Sequence, residues 1–479
     1  MPVEEHPRPG RPRVVILGGG FAGAYCAQKL DRLYDPDQVE VVLLDRNNYF
    51  VFYPLLVEAG TGALQPEHTL VSLRNFVPTS TFMQANVTHV STNESRIDYA
   101  IVGDDTPKRM YYDHLVVAIG TTTLAPPVPG LEEHAYTMGS LTDALVLRDR
   151  AVRLLEQADA IRDPERRRML LHWVIVGGGF TGIEVAGEFE HYLKAATRRY
   201  PNLSPEDVKV TIVNRGDRLL KMLDAELGRW TEDHLRARGL DVRMEEEVAE
   251  IGEEHVALKN CGERLAASTT VWCAGIQAHK VVKEWDLPTN KGGYLLCERD
   301  LRVKGFTNVW GLGDGAVNPD AQGSTYPTTA QAALGMGTDC AKNIRRVLAG
   351  EETEPCDLFD KGMLASFGVG DAVAQAFGIK FTGWLAWLMW RGVYLSKIPG
   401  LGRKVRVFVD WNMDLLTSRD YCELGFHKLH AVNRAKTADP GEPVNRDHVP
   451  DYDKPPADDE QAAREAGPAQ PVKHEPQPA

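Results

Sequence analysis

A strand, a G-G-G-F-x-G turn, a helix and a second strand occur together twice in this chain, and that repeat limits the folds open to it. The first copy starts with Val14 to Leu17, a continuous apolar, β-branched run that suits a strand buried on both faces. Gly18, Gly20 and Gly23 follow in the G-x-G-x-x-G spacing, and a helix reading AGAYCAQKL opens at once. A second apolar strand, Val39 to Leu44, ends on Asp45. Each part has a physical task. One glycine makes the tight turn, one lets backbone approach a pyrophosphate, and one lets helix and strand pack closely. Free N–H groups at the helix start hold phosphates. Asp45 lies 22 residues beyond Gly23, near the ~20 expected of an acid that accepts from ribose hydroxyls. The pattern predicts a dinucleotide-binding unit.

The second copy reads HWVIVGGGFTGIEVAGEFEHYL. It has a strand Trp173 to Val176, then Gly177, Gly179 and Gly182, a helix from Thr181, and a strand VKVTIV leading to Asn214 and Arg215. An internal duplication of this kind calls for two nucleotides, and the simplest pairing is one flavin and one nicotinamide. The second copy ends on a neutral residue and an arginine rather than on an acid. That suits a 2′-phosphate, so NADPH stands open beside NADH.

The remaining segments fit around these units. Leu115 to Ile119 is an apolar strand ending at Gly120, after which prolines lead the chain to a second domain. Arg148 to Arg168 reads as a charged helix, and STTVWCAGIQ as a strand ending at Gly275. In NVWGLGDGAVNPD, a strand Asn308 to Trp310 is followed by Gly313 and Asp314, whose carboxylate can accept from flavin ribitol hydroxyls. YPTTAQAALGMGTDCAKNIRRVL reads as a helix with Pro327 near its start and Thr328 or Thr329 as N-cap. Its positive N-terminus, at Thr329 and Ala330, would stabilise charge that develops on a flavin. The aromatic loop RNNYFVFYPLLVEAGTGAL reads equally as cover for a cofactor or as core packing.

The 479 residues suit roughly two to four domains. A formal net charge of −13 argues against nucleic acid as a partner. Seven scattered cysteines form no C-x-x-C or C-x₄-C, so neither a metal site nor a dithiol pair close in sequence is expected, and a reducing cytosol is the expected compartment. Ala372 to Val409 carries Lys380, Arg391, Lys397, Arg403, Lys404 and Arg406, with no acid, around Trp384, Trp387 and Trp390. Its apolar run falls short of the ~20 residues of a membrane span but suits a segment lying in the headgroup region. The expected organisation is a flexible leader over 1–12, a flavin domain over 13–140 and 281–350, a nicotinamide domain over 141–280, a C-terminal membrane-associating region over 351–435 and a disordered acidic tail over 436–479. The fold class is α/β, with two Rossmann-like domains, one interrupting the other.

The two GGGF[AT]G units, YDHLVVAIG, VWCAGI, NVWGLGDGA and PTTAQAA together resemble the two-dinucleotide-domain flavoproteins. More narrowly, the chain resembles the type II NADH dehydrogenases, the single-subunit, non-proton-pumping NADH:quinone oxidoreductases, over roughly residues 13–425. The resemblance implies FAD on Gly18, Gly20, Gly23, Asp45 and Asp314, and NADH on Gly177, Gly179, Gly182 and Gly275. It implies that Glu184 positions the nicotinamide and assists proton supply to a quinone. Ala330, Gln331 and Ala333 match an A-Q-x-A-x-Q signature at the quinone mouth, whereas Gly335, followed by Met336, stands where the second glutamine falls. That departure implies a quinone site of different shape. A peripheral position on the cytoplasmic face of the cell membrane and a homodimer are also implied. Cys26 is alone in the first helix and no cysteine lies between Ala27 and Asn260, which disfavours disulfide and sulfide chemistry. The same residues also allow a soluble NADPH-dependent reductase with another acceptor, or a non-catalytic flavin redox sensor.

Overall fold

The computed structural model describes residues 3–359 and 361–426. The first fingerprint strand, Arg13–Leu17, is buried along its whole length within an eight-stranded sheet. Glu40–Asp45 and His114–Val117 flank it in parallel, with Val15 opposite both Val42 and Leu115. Val309–Gly311 extends the sheet in parallel beyond His114–Val117. On the other side Thr81–Ser91 begins parallel to Glu40–Asp45, then opens an antiparallel meander with Arg96–Ile101 and Asp104–Tyr111. The helix α1 (Phe21–Leu33) follows the first strand, and α2 (Leu56–Gly60) and α3 (Leu73–Phe76) follow the second. Most of the aromatic loop is core: Phe50 and Phe52 pack on Phe21, and Phe50 also on Phe76.

The segment expected as a loose leader supplies an edge strand instead. Val3–Glu5 lies parallel to Lys108–Met110. Buried Arg13 explains the order: its guanidinium donates to the carbonyls of Glu5 and His6 and pairs with Glu40 at 2.9 Å. A buried cation demands partners, and the leader provides two of them.

The chain leaves the first sheet through Thr121–Thr123 and returns through Ile276–Ala278, and these two segments pair antiparallel. Between them come α4 (Leu131–His134), α5 (Leu141–Ala160), α6 (Pro164–Leu170), α7 (Phe180–Thr197) and α8 (Ala225–Ala237). The charged stretch read as one helix is thus two. Ser140 caps α5 by accepting from Asp143 N, and Asp163 with Pro164 starts α6. A five-stranded parallel sheet runs Ala135–Tyr136, Thr269–Trp272, His172–Val176, Lys209–Asn214, Asp241–Met244. The fingerprint strand again sits between the strand after its helix and a later parallel strand. A second meander, Val248–Ile251, His255–Leu258 and Arg264–Ala266, carries the duplication beyond the fingerprint.

Helix α9 (Ala330–Leu348) packs on α1 so closely that a Cβ at Gly337 would lie 2.2 Å from the Ala22 carbonyl oxygen. A small antiparallel sheet, Met363–Ser366, Ala372–Ala376 and Ile379–Thr382, leads into α10 (Gly383–Lys397) and α11 (Leu401–Leu416). Arg238 fastens this sheet to α7. It donates to Phe367 O and Gly187 O and pairs with Glu190 at 2.5 Å and Asp371 at 3.1 Å. Beyond α11 the chain doubles back along α5, where Asp149 accepts from the N–H groups of Leu424 and Phe426. No helix among the described residues is long and apolar enough to cross a membrane. The stretch read as an acidic tail, 436–479, lies outside the described residues.

Candidate functional site

The two fingerprints form the same cradle. Gly18 and Gly177 adopt φ of +98° and +118°, and a Cβ there would lie 2.4 Å and 2.9 Å from backbone of Ala118 and Cys273. A Cβ at Gly23 or Gly182 would lie 1.9 Å from the carbonyl oxygen of Gly18 or Gly177. The middle glycines differ. Gly20 and Gly179 are the N-caps of α1 and α7, make no side-chain cap, and a Cβ on either would meet nothing within 4 Å. The first N–H groups of each helix are therefore without side-chain partners and face open space, which suits a pyrophosphate.

The residues ending the second strands do matching work. Asp45 accepts from Gly19 N at 2.6 Å and Asn47 N at 2.7 Å. Burial raises its pKa and those two N–H groups draw it back. Asn214 Oδ1 accepts from Gly178 N at 3.1 Å, while its Nδ2 donates to Gly216 O and Arg218 O. Asn214 is thus a clamp on the glycine turn, with exposed Arg215 beyond it. Asp314 sits in a short 3₁₀ turn, Gly313–Gly315, after Val309–Gly311. Its carboxylate has no protein hydrogen bond among the described residues, and burial raises its pKa. It is an acceptor available to hydroxyl donors. Gly275, at φ +90°, follows Thr269–Trp272 at the carboxyl end of the second sheet, the end where ligands bind in such folds.

Thr329 caps α9, accepting from Ala332 N at 3.2 Å, with Ala330 as the first helical residue. Gln331 bridges outward: its Nε2 donates to Phe359 O and its Oε1 accepts from Lys397 Nζ, both at 3.4 Å. A Cβ at Gly335 would lie 2.5 Å from Leu358 Cδ2. The end of the Leu358 side chain therefore lies against position 335 and would have to move for any larger residue there.

A carboxylate cluster lies where α2 meets α7, with Glu58 and Glu188 buried and Glu184 half-buried. Glu58, Glu184 and Glu188 line one small cavity with Pro54, Val57, Ser366 and Trp390. Glu188 pairs with Arg419 at 2.9 Å and accepts from Thr61 Oγ1 at 3.0 Å. Burial opposes its ionisation, yet Arg419 holds its pKa below the usual carboxylate value. Arg419 is itself gripped by both oxygens of Asp414, at 2.6 and 3.0 Å. Glu58 accepts from Trp411 Nε1 at 2.7 Å. Burial, and then the Glu188 charge, push Glu58 up to about 8. Burial pushes Glu184 to about 8 as well, with Glu58 adding to the shift and the Ser366 backbone opposing it. Sequence reasoning passed over Glu58. The signal was there: from Phe50 to Leu64 it is the one charged residue.

The C-terminal hairpin corrects the reading of a tryptophan-rich lipid patch. Only Trp384 is exposed, at 63%; Trp387 and Trp390 are core, at 4% and 2%. Lys380 is held by Asp224 and Glu226, and Arg391 stacks on Trp387 with its Cζ 3.9 Å from the ring centroid. The apolar surface comes mainly from α11, where Leu401, Val405, Phe408, Val409, Met413 and Leu416 are exposed. The same helix turns Asp410 and Asp414 inward to His68 and Arg419. A helix with its carboxylates inside and its apolar side outside is inverted with respect to water.

Residues 12–337 match the family model for pyridine nucleotide-disulphide oxidoreductases, and residues 361–420 match that of the NDH2 C-terminal domain. A type II NADH:quinone oxidoreductase of Mycobacterium tuberculosis is 30% identical over 430 residues, covering 86% of this chain and 89% of that one. A demethylphylloquinone reductase of Synechocystis is 32% identical over 411 residues, covering 84% and 96%. The structure of NDH2 from Plasmodium falciparum in complex with NADH has the same fold, with a TM-score of 0.80 at 19% identity, over 86% of this chain and all of that one. With two nucleotide cradles, an interrupted sheet order and an NDH2 C-terminal region, the chain belongs to the pyridine nucleotide-disulphide oxidoreductase family and, within it, to the type II NADH dehydrogenases.

Proposed function

We infer that this chain is an FAD-dependent NADH:quinone oxidoreductase, taking a hydride from NADH and delivering two electrons to a membrane quinone. The observation that carries this reading is the pair of open glycine cradles joined to an NDH2 C-terminal region. Bound FAD would supply the two-electron relay between nicotinamide and quinone. Gly18, Gly20 and Gly23 would seat its pyrophosphate, Asp45 would hold the turn and accept from ribose, and Asp314 with Gly313 would receive the ribitol hydroxyls. The N-terminus of α9, at Thr329 and Ala330, would favour negative charge on the ring beside it. Gly177, Gly179, Gly182, Asn214 and Gly275 would hold NADH, with Glu184 beside the nicotinamide. Gln331 would border the quinone mouth, reshaped by Leu358 against Gly335.

The inverted face of α11 would enter the lipid, with Arg403, Lys404 and Arg406 on the same helix meeting anionic headgroups. The proposed site is the cytoplasmic face of the membrane, where NADH is supplied, and the proposed assembly is a homodimer, the commonest oligomer, checked by sedimentation. Anaerobic NADH should bleach the flavin of the purified yellow protein, and a quinone analogue should restore the colour. Protein that takes up no flavin, or flavin that neither NADH nor NADPH bleaches, overturns the reading. Neutral Asn214 and the following Arg215 favour NADPH as a second donor, so rates with the two donors are compared side by side.

A further inference from the structure

A nicotinamide donor comes in two forms that differ by one phosphate on the adenosine ribose, and a site tells them apart by the charge it holds beside that ribose. On the activity inferred above, that place lies just beyond the second strand of the second fingerprint. We propose that the cleft between the loop 215–221 and the start of α8 takes this 2′-phosphate. Arg218 and Arg229 are the residues that bind it, and NADPH therefore binds more tightly than NADH. The phosphate stays intact, and no bond to it is made or broken.

The loop is fixed to the second glycine turn. Leu220 N donates to Gly178 O at 2.8 Å, and buried Leu220 takes φ +49°, in the left-handed region that leucine rarely enters. Asn214 spends both Nδ2 hydrogens on Gly216 O and Arg218 O, at 3.1 and 3.2 Å, so it adds no charge and draws Arg218 toward the turn. From the other side α8 packs so tightly that a Cβ at Gly228 would lie 2.6 Å from Leu219 O. Asp217, Arg218, Lys221, Ala225 and Arg229 line the resulting cleft, of about 460 Å³. The acids around it are already occupied. Asp217, 73% exposed, pairs with Lys221 at 3.0 Å, and Asp224 and Glu226 pair with Lys380 at 2.8 and 2.9 Å. Arg218 gives one N–H to Lys221 O, and neither Arg218 nor Arg229 forms an ion pair among the described residues. A guanidinium offers parallel N–H groups that match a phosphate. Arg215, which the sequence offers for this task, is exposed and does not line the cleft.

The test uses the flavin-loaded full chain in phosphate-free buffer at low salt. Titration calorimetry compares adenosine 2′,5′-bisphosphate with 5′-AMP, which lacks only the 2′-phosphate. The bisphosphate should bind about tenfold tighter or more, and Arg218→Gln and Arg229→Gln should each narrow that gap by about threefold to tenfold. Arg215→Gln should narrow it by less than about twofold, as expected of an exposed charge outside the cleft. In steady state, the ratio of kcat/KM for NADPH to that for NADH should fall in step with the gap. Should the arginine variants fail to fold, Asp217→Asn removes the carboxylate that holds Lys221 and should widen the gap about threefold. Equal binding of the two nucleotides by the wild type, a gap unmoved by the Arg218, Arg229 and Asp217 variants, or a gap carried by Arg215 alone overturns the proposal. A chain that binds neither nucleotide overturns the nicotinamide assignment of the second cradle as well. A chain that keeps the gap but never reduces quinone supports the cleft and overturns the underlying activity instead.

Discussion

Single residues decide whether each nucleotide cradle closes. Gly23 and Gly182 stand in equivalent places, each 1.9 Å by its missing Cβ from a fingerprint carbonyl. Gly23→Ala is expected to yield colourless protein, whereas Gly182→Ala is expected to stay yellow but resist bleaching by NADH; absorbance spectra read both. These positions were legible from spacing alone, because local backbone geometry requires them. The carboxylate cluster was not, because residues 58, 184, 188 and 419 are brought together only by folding. Arg419→Gln leaves Glu188 buried without its cation and should cost about 3–5 kcal/mol, measured by denaturant unfolding at neutral pH. The depressed pKa of Glu188 makes its wild-type contribution present above the ordinary carboxylate range and lost in acid. Glu58 and Glu184 work in the opposite sense. Folded, they keep their protons up to about 8, while the ordinary value is 4.5, so the unfolded chain releases protons first and stability falls as pH rises between those values. Glu58→Gln should flatten that fall, read as unfolding free energy against pH.

At the scale of elements, propensity and pattern located the fingerprint helices and strands to within a few residues. They failed where a local signal had two meanings. The charged run from Arg148 to Arg168 has helical composition throughout, yet Asp163 and Pro164 end one helix and start another. The tryptophans of α10 read as an interfacial belt, but Trp390 packs on Trp411 of α11 and Trp387 on the small sheet at Ala372 and Ala374. The basic start of α11 fell inside the stretch expected to lie in the headgroup region, but its apolar outer face was hidden by the inward carboxylates Asp410 and Asp414. Phe408→Glu on that face should remove about 2 kcal/mol of apolar transfer and weaken binding to lipid vesicles more than tenfold in a flotation assay. Thr329→Ala should cost α9 about 1 kcal/mol of stability by leaving the Ala332 N–H without its cap.

Over the whole molecule, two charge patterns oppose each other: the chain is acidic at −13, while Ala372 to Val409 carries no acid. Vesicle binding is therefore expected to need anionic lipid at low salt and to weaken, without vanishing, as salt screens the charges. Duplication made the two-unit architecture readable, since strand, glycine turn and helix are neighbours in sequence and each copy reports its own geometry. Three things were decided only in three dimensions. The edge strand Val3–Glu5 exists because buried Arg13 needs carbonyl partners, which no pattern in a polar leader reveals. Leu358, 23 residues away, packs its side-chain end against Gly335, where the signature has its second glutamine. The raised pKa values of Glu58 and Glu184 depend on burial and on Arg419 pairing with Glu188 instead of with either of them. By itself the sequence determined what short-range backbone geometry requires, the two cradles and their helices. Tertiary structure decided what depends on distant side chains meeting away from water: the carboxylate cluster with Arg419, the apolar outer face of α11 and the packing of Leu358 against Gly335.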